Sequence, residues 1–455
     1  MFIFAAKLFK FDIIMILRAI VRNLYSFKDE TEISFVAGKG TTHCEHVSRA
    51  EKRDDISVLK AGIIYGANAS GKSNIIKAVS VIQKIALGSV PKRNIEPFKL
   101  TAFKNNTSKI EVEFKAGKRF YAYGVEFTIK GIVEEWLYDI NSRTEKEVFS
   151  RRVGPEGNDF SFGTIDGNDE IQQLVRFISQ STPITDSFLS EYVKRNGKGL
   201  TAINNAYRWM KEDLKIIFPE SRYEGISIRA EKDKDFALAT KSLLEYFNTG
   251  IVDIRRIKVN KEDLELPKEI VNDILTEAEN NKAFVVASPS DSSTYFFETD
   301  ENGITSIYKQ SAIHRMKNGG EVPFEMDEES DGSIRLLDFI PMLIDLKLNP
   351  SVYLIDEIDR SMHPMLSQKL LEYYFAFLDK ERDTQLTCTT HESNLLDLKT
   401  IRADEVWFVE KGQDGASHLT SLAEYKPRED VRKGYLQGRY GAIPFFASIN
   451  SLKWQ

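Results

Sequence analysis

The 455-residue sequence has only two cysteines, Cys44 and Cys388. That scarcity excludes a disulfide framework and points to a reducing, cytoplasmic setting. A polybasic tail is missing too. The formal net charge is −6, and the clusters Arg151-Arg152 and Arg255-Arg256 with Lys258 and Lys261 read as solvated faces, not as a nucleic-acid track. No apolar run reaches the ~20 residues that a membrane helix needs. The most apolar stretch, MFIFAAKLFKFDIIMILRAIV, is interrupted by Lys7, Lys10, Asp12 and Arg18 and leads to no small-residue cleavage site, so neither a span nor a secretory signal is expected. Residues 1–14 are read as a strand of the core sheet, with Met15 as an alternative start that would make them an upstream extension. Apolar heptads sustained over about three or four repeats are also lacking, which excludes a long coiled-coil arm. His43-Cys44-Glu45-His46 has the residue types of a zinc site but too few ligands at a usable spacing, so no metal is assigned there.

What is present is material for a large core, 42% hydrophobic residues beside 29% charged ones, with room for two or three substructures. The strongest local signal is Gly66-Ala-Asn-Ala-Ser-Gly-Lys-Ser73, preceded by the apolar Gly62-Ile63-Ile64-Tyr65 and followed by an amphipathic run from Asn74. It reads as strand, phosphate loop and helix. Glycines at 66 and 71 permit backbone angles that turn successive N–H groups inward around phosphate oxygens, and the helix adds its positive end. Lys72 is spaced to reach the β- and γ-phosphates, and the Ser73 hydroxyl to complete the shell of Mg²⁺. The predicted cradle comprises Gly66, Asn68, Ser70, Gly71, Lys72, Ser73 and Asn74, with ATP and Mg²⁺ as cofactors.

Around this loop the pattern predicts two strands between Leu17 and Val36, a helix from Asn74 to Ile85, and an antiparallel meander over 110–114, 119–129 and 132–140. Residues 153–170, rich in Gly and Asp, read as a loop or boundary. Helical spacing follows over 171–179, 187–194, 201–218, 236–247 and 267–280. Sheet returns at 283–286 and in a hairpin, 295–299 with 304–308, turned by Asn302-Gly303. The expected domains are 1–152, an N-terminal part with the phosphate loop and meander; 153–282, a mainly helical insertion; and 283–455.

A second set of parts lies downstream. Ser330 is placed to cap the helix that starts beside Gly332. The apolar strand Val352–Ile355 ends in Asp356-Glu357, where a phosphate-loop site needs a carboxylate for Mg²⁺ and a neighbouring one to orient water. Asp356 is assigned, with Ser73, to the metal, and Glu357 to the water. The strand Gln385–Thr389 delivers His391 to the same sheet edge, where an imidazole can bond the γ-phosphate or the attacking water.

With these pieces the chain resembles the ABC/SMC/Rad50-like ATPases, in the branch of AAA-type ATPases of bacterial defence systems. The resemblance is carried by Asn23–Lys28, GANASGKSN, ESDGSIRLLD, LIDEIDRSMHP, TTHESNLLD, RADEVWFVEK and Tyr435–Phe446. It implies an α/β fold: a P-loop NTPase with an ABC-type head, an antiparallel meander lobe and a helical insertion. Lys72, Ser73, Asp356, Glu357 and His391 would bind and hydrolyse ATP in one subunit. Ser330 and Gly332 would cap the γ-phosphate of a partner subunit, and Asp359 would couple the two sites. The implied partners are a second copy of the chain in a head-to-head dimer or larger homo-oligomer, a separate Toprim-type effector nuclease, and a phage-encoded trigger, with no membrane. The tail after His391 lacks a Toprim carboxylate cluster, so a nuclease would be another polypeptide. Clamping of DNA, as by RecF- or SMC-type repair ATPases, is the alternative; a transporter motor is remote. Tyr25 stands where the family usually has arginine, and no Q-loop glutamine follows the first sheet, since Gln83 sits on the helix after the phosphate loop. Slow hydrolysis is therefore expected.

Overall fold

The computed structural model describes residues 14–443 apart from 94, 101–106, 265–270, 272, 274–282, 288–292, 379–382 and 428–429. Residues 1–13, most of the helix expected over 267–280 and residues 444–446 of the last family motif lie outside the described residues. The chain divides into two compact units, the first formed by residues 1–219, 348–358 and 371–455, the second by 220–347 and 359–370.

In chain order the first unit opens with strands β1 (Ile14–Arg22), β2 (Thr31–Ser34), β3 (Val47–Ser48), β4 (Val58–Leu59) and β5 (Ala61–Gly66), then helix α1 (Lys72–Leu87). Strands β6 (Ser108–Ala116), β7 (Arg119–Thr128), β8 (Gly131–Ile140), β9 (Glu145–Gly154) and β10 (Gly157–Phe162) follow, then α2 (Asp169–Ser181), α3 (Phe188–Lys194), α4 (Thr201–Arg208) and β11 (Leu214–Ile217). The second unit holds α5 (Ile226–Lys232), α6 (Lys234–Tyr246), β12 (Ile251–Val259), β13 (Ala283–Ala287), β14 (Thr294–Thr299), β15 (Thr305–Arg315), β16 (Glu321–Glu325) and α7 (Asp331–Leu348). Beyond α7 come β17 (Val352–Ile355), α8 (Pro364–Ala376), whose residues up to 370 belong to the second unit, β18 (Gln385–Thr390), β19 (Val406–Lys411) and β20 (Ser417–Ser421).

Two sheets build the first unit. One is antiparallel, in the order β10-β9-β8-β7-β6-β1-β2; the other runs β11-β17-β18-β5-β19-β20 and is parallel except at the β19–β20 edge. The sequence explains the difference. Along β6 the apolar Ile110, Val112 and Phe114 are buried while Lys109, Glu111 and Glu113 are only half-buried, the period of two that covers one face. In β5, β17 and β18 every residue is buried, as a parallel sheet covered on both faces requires. Helix α1 packs on β1, β5 and β6, and Ile75, Ile76, Val79 and Ile82 join the core cluster that includes Ile110, Val112 and Phe114. The fold is thus mixed α/β of the P-loop type. No heptad arm occurs among the described residues.

Two expectations fail here. Residues 153–170 are not a plain loop, because β9 and β10 form a hairpin whose Phe160 and Phe162 pack against Phe188. The glycines that signalled a boundary supply the turn at Gly154 and Gly157. Likewise the helix expected over 201–218 ends early, and Leu214–Ile217 instead pairs in parallel with β17 as the edge strand of the nucleotide-type sheet. The apolar Leu214, Ile216 and Ile217 suit either element, and the sheet edge decides.

Arg151 is also no solvated cation. It and Glu135 face each other across β8 and β9, both side chains fully buried, with Nη1 to Oε2 at 3.4 Å. Glu135 accepts from the Phe188 N–H (2.8 Å), the Leu189 N–H (3.3 Å) and the Tyr123 hydroxyl (3.1 Å), while Arg151 donates to the Asp186 and Pro183 carbonyls, each at 2.8 Å. Burial pushes the Glu135 carboxyl upward, and Arg151 and the two amides pull it back. Arg152, one residue on, is exposed and pairs with Glu134.

In the second unit β12-β15-β14-β13 form an antiparallel sheet with β16 paired to β15, and the hairpin expected around Asn302-Gly303 is present, with Thr299 opposite Thr305. Strand β12 adds sheet to a stretch read as mainly helical, and its Arg256 is largely buried in ion pairs with Glu231 and Glu298.

Removing one member of a buried ion pair strands the other. Glu135→Ala is therefore expected to lower the unfolding free energy by about 3–5 kcal/mol in denaturant titrations, whereas Glu134→Ala, at the exposed pair, should cost less than about 1 kcal/mol.

Candidate functional site

Strand β5 ends at Gly66, where the chain must turn sharply against its neighbours. A Cβ there would come within 2.5 Å of Ser70 Oγ and 2.6 Å of the Val409 carbonyl. Gly71 has φ +108°, and its Cβ would meet Ser26 Oγ at 2.5 Å and Ser417 Oγ closer still. Gly66 is thus fixed by space, and Gly71 by space and by conformation. Helix α1 begins at Lys72 with no side-chain cap, and although the Asn74 N–H donates to the Gly71 carbonyl (3.0 Å), the positive end of this 16-residue helix has no side chain over it and suits an anion.

Lys72 is buried and its ammonium donates to the Gly66 carbonyl (2.7 Å), the Ala67 carbonyl (3.1 Å) and His391 Nδ1 (3.4 Å). It therefore lies over its own loop, on acceptors that phosphate oxygens can replace. Asn68 and Ala69 are exposed at the tip, Ala69 at φ +62°. Ser70 Oγ is buried without a hydrogen-bond partner, while its carbonyl accepts from Ser417 Oγ. Asn74 donates to Ser26 Oγ at 2.8 Å. Ser73 is half-buried on the first turn of the helix.

The opposite wall rises from β17. Asp356 is buried, and its Oδ1 accepts from Thr389 Oγ1 at 2.7 Å. The same hydroxyl accepts the Glu357 N–H at 2.8 Å, and the Thr389 carbonyl accepts the Ile358 N–H at 3.1 Å. Glu357 has φ +52°, a left-handed conformation that costs a non-glycine residue on the order of 1–3 kcal/mol. Strand β18, which carries Thr389, lies between β17 and β5, with Ile355 opposite Cys388 and Thr390 opposite Tyr65. Since all three strands are parallel, Asp356-Glu357, His391 and the phosphate loop leave the sheet along one edge. An uncapped helix start, an orphaned serine hydroxyl, a lysine and a rigidly held carboxylate together fit a magnesium polyphosphate.

Ser330, Gly332 and Asp359 belong to the second unit. Ser330 is exposed and caps α7, its Oγ accepting the Ser333 N–H at 3.1 Å. A Cβ on Gly332 would lie 2.9 Å from the Ser361 carbonyl, so glycine is required where the turn meets the segment after Asp359. The Asp359 carbonyl accepts the Met362 N–H. Farther along α7, Asp338 accepts from Arg222 (2.8 Å) and the Tyr223 N–H (2.9 Å).

Sequence reasoning missed Ser26, Thr389 and Ser417. The first two sit inside stretches that carried other motifs, whereas Ser417 comes from an antiparallel edge strand with no local signal. Gln83 donates to the Met210 and Leu214 carbonyls, a structural role. Tyr25 adopts φ +55°; burial, and then Glu96, push its phenol up to about 12.

Residues 63–397 match the family described as "AAA domain, putative AbiEii toxin, Type IV TA system". Similar solved structures include an SMC head bound to the C-winged helix domain of ScpA, with 13% identity, TM-score 0.39, 90% of this chain and 99% of that one covered. Others are the Thermotoga maritima SMC head domain (11%, 0.35, 89% and 98%) and cbiO1 of Clostridium perfringens, part of an ABC transporter complex (10%, 0.29, 95% and 98%). No curated protein matches. Among the described residues no helix is long and apolar enough to cross a membrane.

Charge-assisted hydrogen bonds contribute about 1.5–3 kcal/mol each. Lys72→Ala should accordingly weaken ATP binding at least about tenfold by calorimetry, and unchanged affinity would remove the loop from the site. Thr389→Val leaves a backbone N–H unpaired and frees the carboxylate, so it should lower turnover about tenfold with little change in ATP affinity, and Thr389→Ser should restore it.

Proposed function

The chain belongs to the AAA-domain family of the AbiEii type, and from that premise we propose that it binds and slowly hydrolyses ATP at a composite interface between two copies. The carrying observation is the single sheet edge shared by Lys72, His391 and the Thr389-held pair Asp356-Glu357. A bound Mg²⁺, held by Ser73 and Asp356, supplies charge neutralisation on the phosphates. Lys72 moves from its own loop carbonyls onto phosphate oxygens. Glu357, held by its left-handed backbone, orients the attacking water, and His391 leaves the lysine to report on the terminal phosphate. The exposed Ser330 hydroxyl and the neighbouring Gly332 meet the terminal phosphate bound by a second copy, and Asp359 couples the two sites.

The finer reading is a sensor and scaffold of a bacterial antiphage system, resembling the ATPase subunit AriA of PARIS, which holds a separate toxic nuclease until a phage protein releases it. The family description, with its toxin and toxin–antitoxin system, supports a defence context. The net charge of −6 speaks against the DNA-clamp alternative.

Glu357→Gln should retain ATP and trap the closed oligomer. In light scattering with magnesium and ATP this variant is expected as a dimer or larger, and Ser330→Arg as a monomer. Co-purification with the product of the neighbouring gene should yield a nuclease that leaves on phage trigger. A strict monomer would refute the composite site, and salt-sensitive ATP-dependent DNA binding without any effector would replace the sensor by the clamp.

A further inference from the structure

Apart from the phosphate edge, the first unit brings together His43, Glu45 and His46, each offering one ligand atom within 4.8 Å of the others; this is the group of that kind found among the described residues. The short 44–46 turn follows His43, which is itself left-handed at φ +48°, and the two imidazoles stack with centroids 5.0 Å apart.

Hydrogen bonds fix which nitrogens face inward. His46 Nδ1 lies 3.0 and 3.2 Å from the two oxygens of Glu405, a fully buried carboxylate whose Oε2 also takes the Arg402 N–H at 2.7 Å. An ionised carboxylate only accepts, so Nδ1 carries the proton and Nε2 presents a lone pair. His43 Nε2 lies 3.3 Å from the Leu398 carbonyl, which likewise only accepts, so its Nδ1 presents a lone pair. Both lone pairs face one oxygen: Glu45 Oε1 is 3.4 Å from His43 Nδ1 and 3.9 Å from His46 Nε2. His43 Nδ1 and Glu45 Oε1 are within hydrogen-bond reach of each other, and the place a proton takes between them is the one a metal ion would take with His46 Nε2 as its third ligand. Tetrahedral ligands at 2.0–2.1 Å from zinc stand about 3.4 Å apart, which matches the His43–Glu45 spacing; the remaining pairs, all within 4.8 Å, draw in on binding. The outer bonds to a carboxylate and a carbonyl are those that orient metal-binding imidazoles. Phe375 stacks on His46 at 4.5 Å and holds the ring, while Glu45, 45% exposed, leaves the fourth position open toward solvent.

We propose that His43 Nδ1, Glu45 Oε1 and His46 Nε2 bind a divalent first-row transition-metal ion, zinc foremost, separate from the phosphate edge. Imidazole ligands select zinc over magnesium. The ion pins the 43–46 turn, through Leu398 and Glu405, to the segment that leads from His391 into β19, next to the phosphate-loop strand. It thereby stiffens the chain directly after the histidine that contacts Lys72. Cys44 is not a ligand, since its Sγ donates to the Thr41 carbonyl.

The test is zinc titration of the metal-free full chain without nucleotide, followed by Co²⁺ substitution. One zinc per chain is expected, with the absorption of a four-coordinate cobalt site. His43→Ala and Glu45→Gln, at partly exposed positions, should each weaken binding at least tenfold, Glu405→Gln by about 10–100-fold, and Cys44→Ser not at all. Zinc should also raise the melting temperature of the wild type but not of His43→Ala. Absence of zinc binding, retention of affinity in the His43→Ala/Glu45→Gln double variant, loss of it in Cys44→Ser, or displacement of zinc by millimolar Mg²⁺ would each overturn the assignment.

Discussion

Thr389 Oγ1 makes two hydrogen bonds, and the arrangement of the phosphate edge follows from them. By donating to Asp356 it fixes a buried carboxylate in one rotamer; by accepting from the Glu357 N–H it secures a backbone turn that would otherwise relax out of the left-handed region. Both bonds depend on β18 running beside β17, and β18's other neighbour, β5, brings the phosphate loop to the same edge. The parallel order of those strands, each buried along its whole length, is thus the condition for a working edge, and the apolar character of Ile63-Ile64 and Val352–Ile355 secures that order.

A second layer of hydroxyls does the same for the opposite wall. Ser26 and Ser417 crowd Gly71 and hold Asn74 and the Ser70 carbonyl, so the loop's shape is imposed by neighbours and not only by its own glycines. This accounts for the presence of the Asn23–Lys28 turn beside a phosphate loop some forty residues later in the chain: the Ser26 carbonyl accepts from the Ser417 N–H and binds the edge strand in place.

The phosphate loop, the carboxylate-ended strand and the histidine after β18 were legible in the sequence because each is a local pattern with a strict geometric demand. The meander was legible for the same reason, through period-two alternation. What escaped was non-local. Arg151 looks like any surface arginine until β8 supplies Glu135 opposite it. Residues 214–217 carry an apolar pattern that a helix or an edge strand satisfies equally, and only pairing with β17 settles it. His43-Cys44-Glu45-His46 offered too few ligands as a string, since the groups that orient its imidazoles, Leu398 and Glu405, come from more than 350 positions away.

The Glu135–Arg151 pair also bears on how this protein can be taken apart. Its charges are neutralised by amides at 188 and 189 and carbonyls at 183 and 186, all downstream of the meander strands that hold the pair. A fragment ending near residue 152 would keep both ions and lose the groups that make their burial tolerable, so the meander lobe depends on the connection between α2 and α3 and on the first turn of α3.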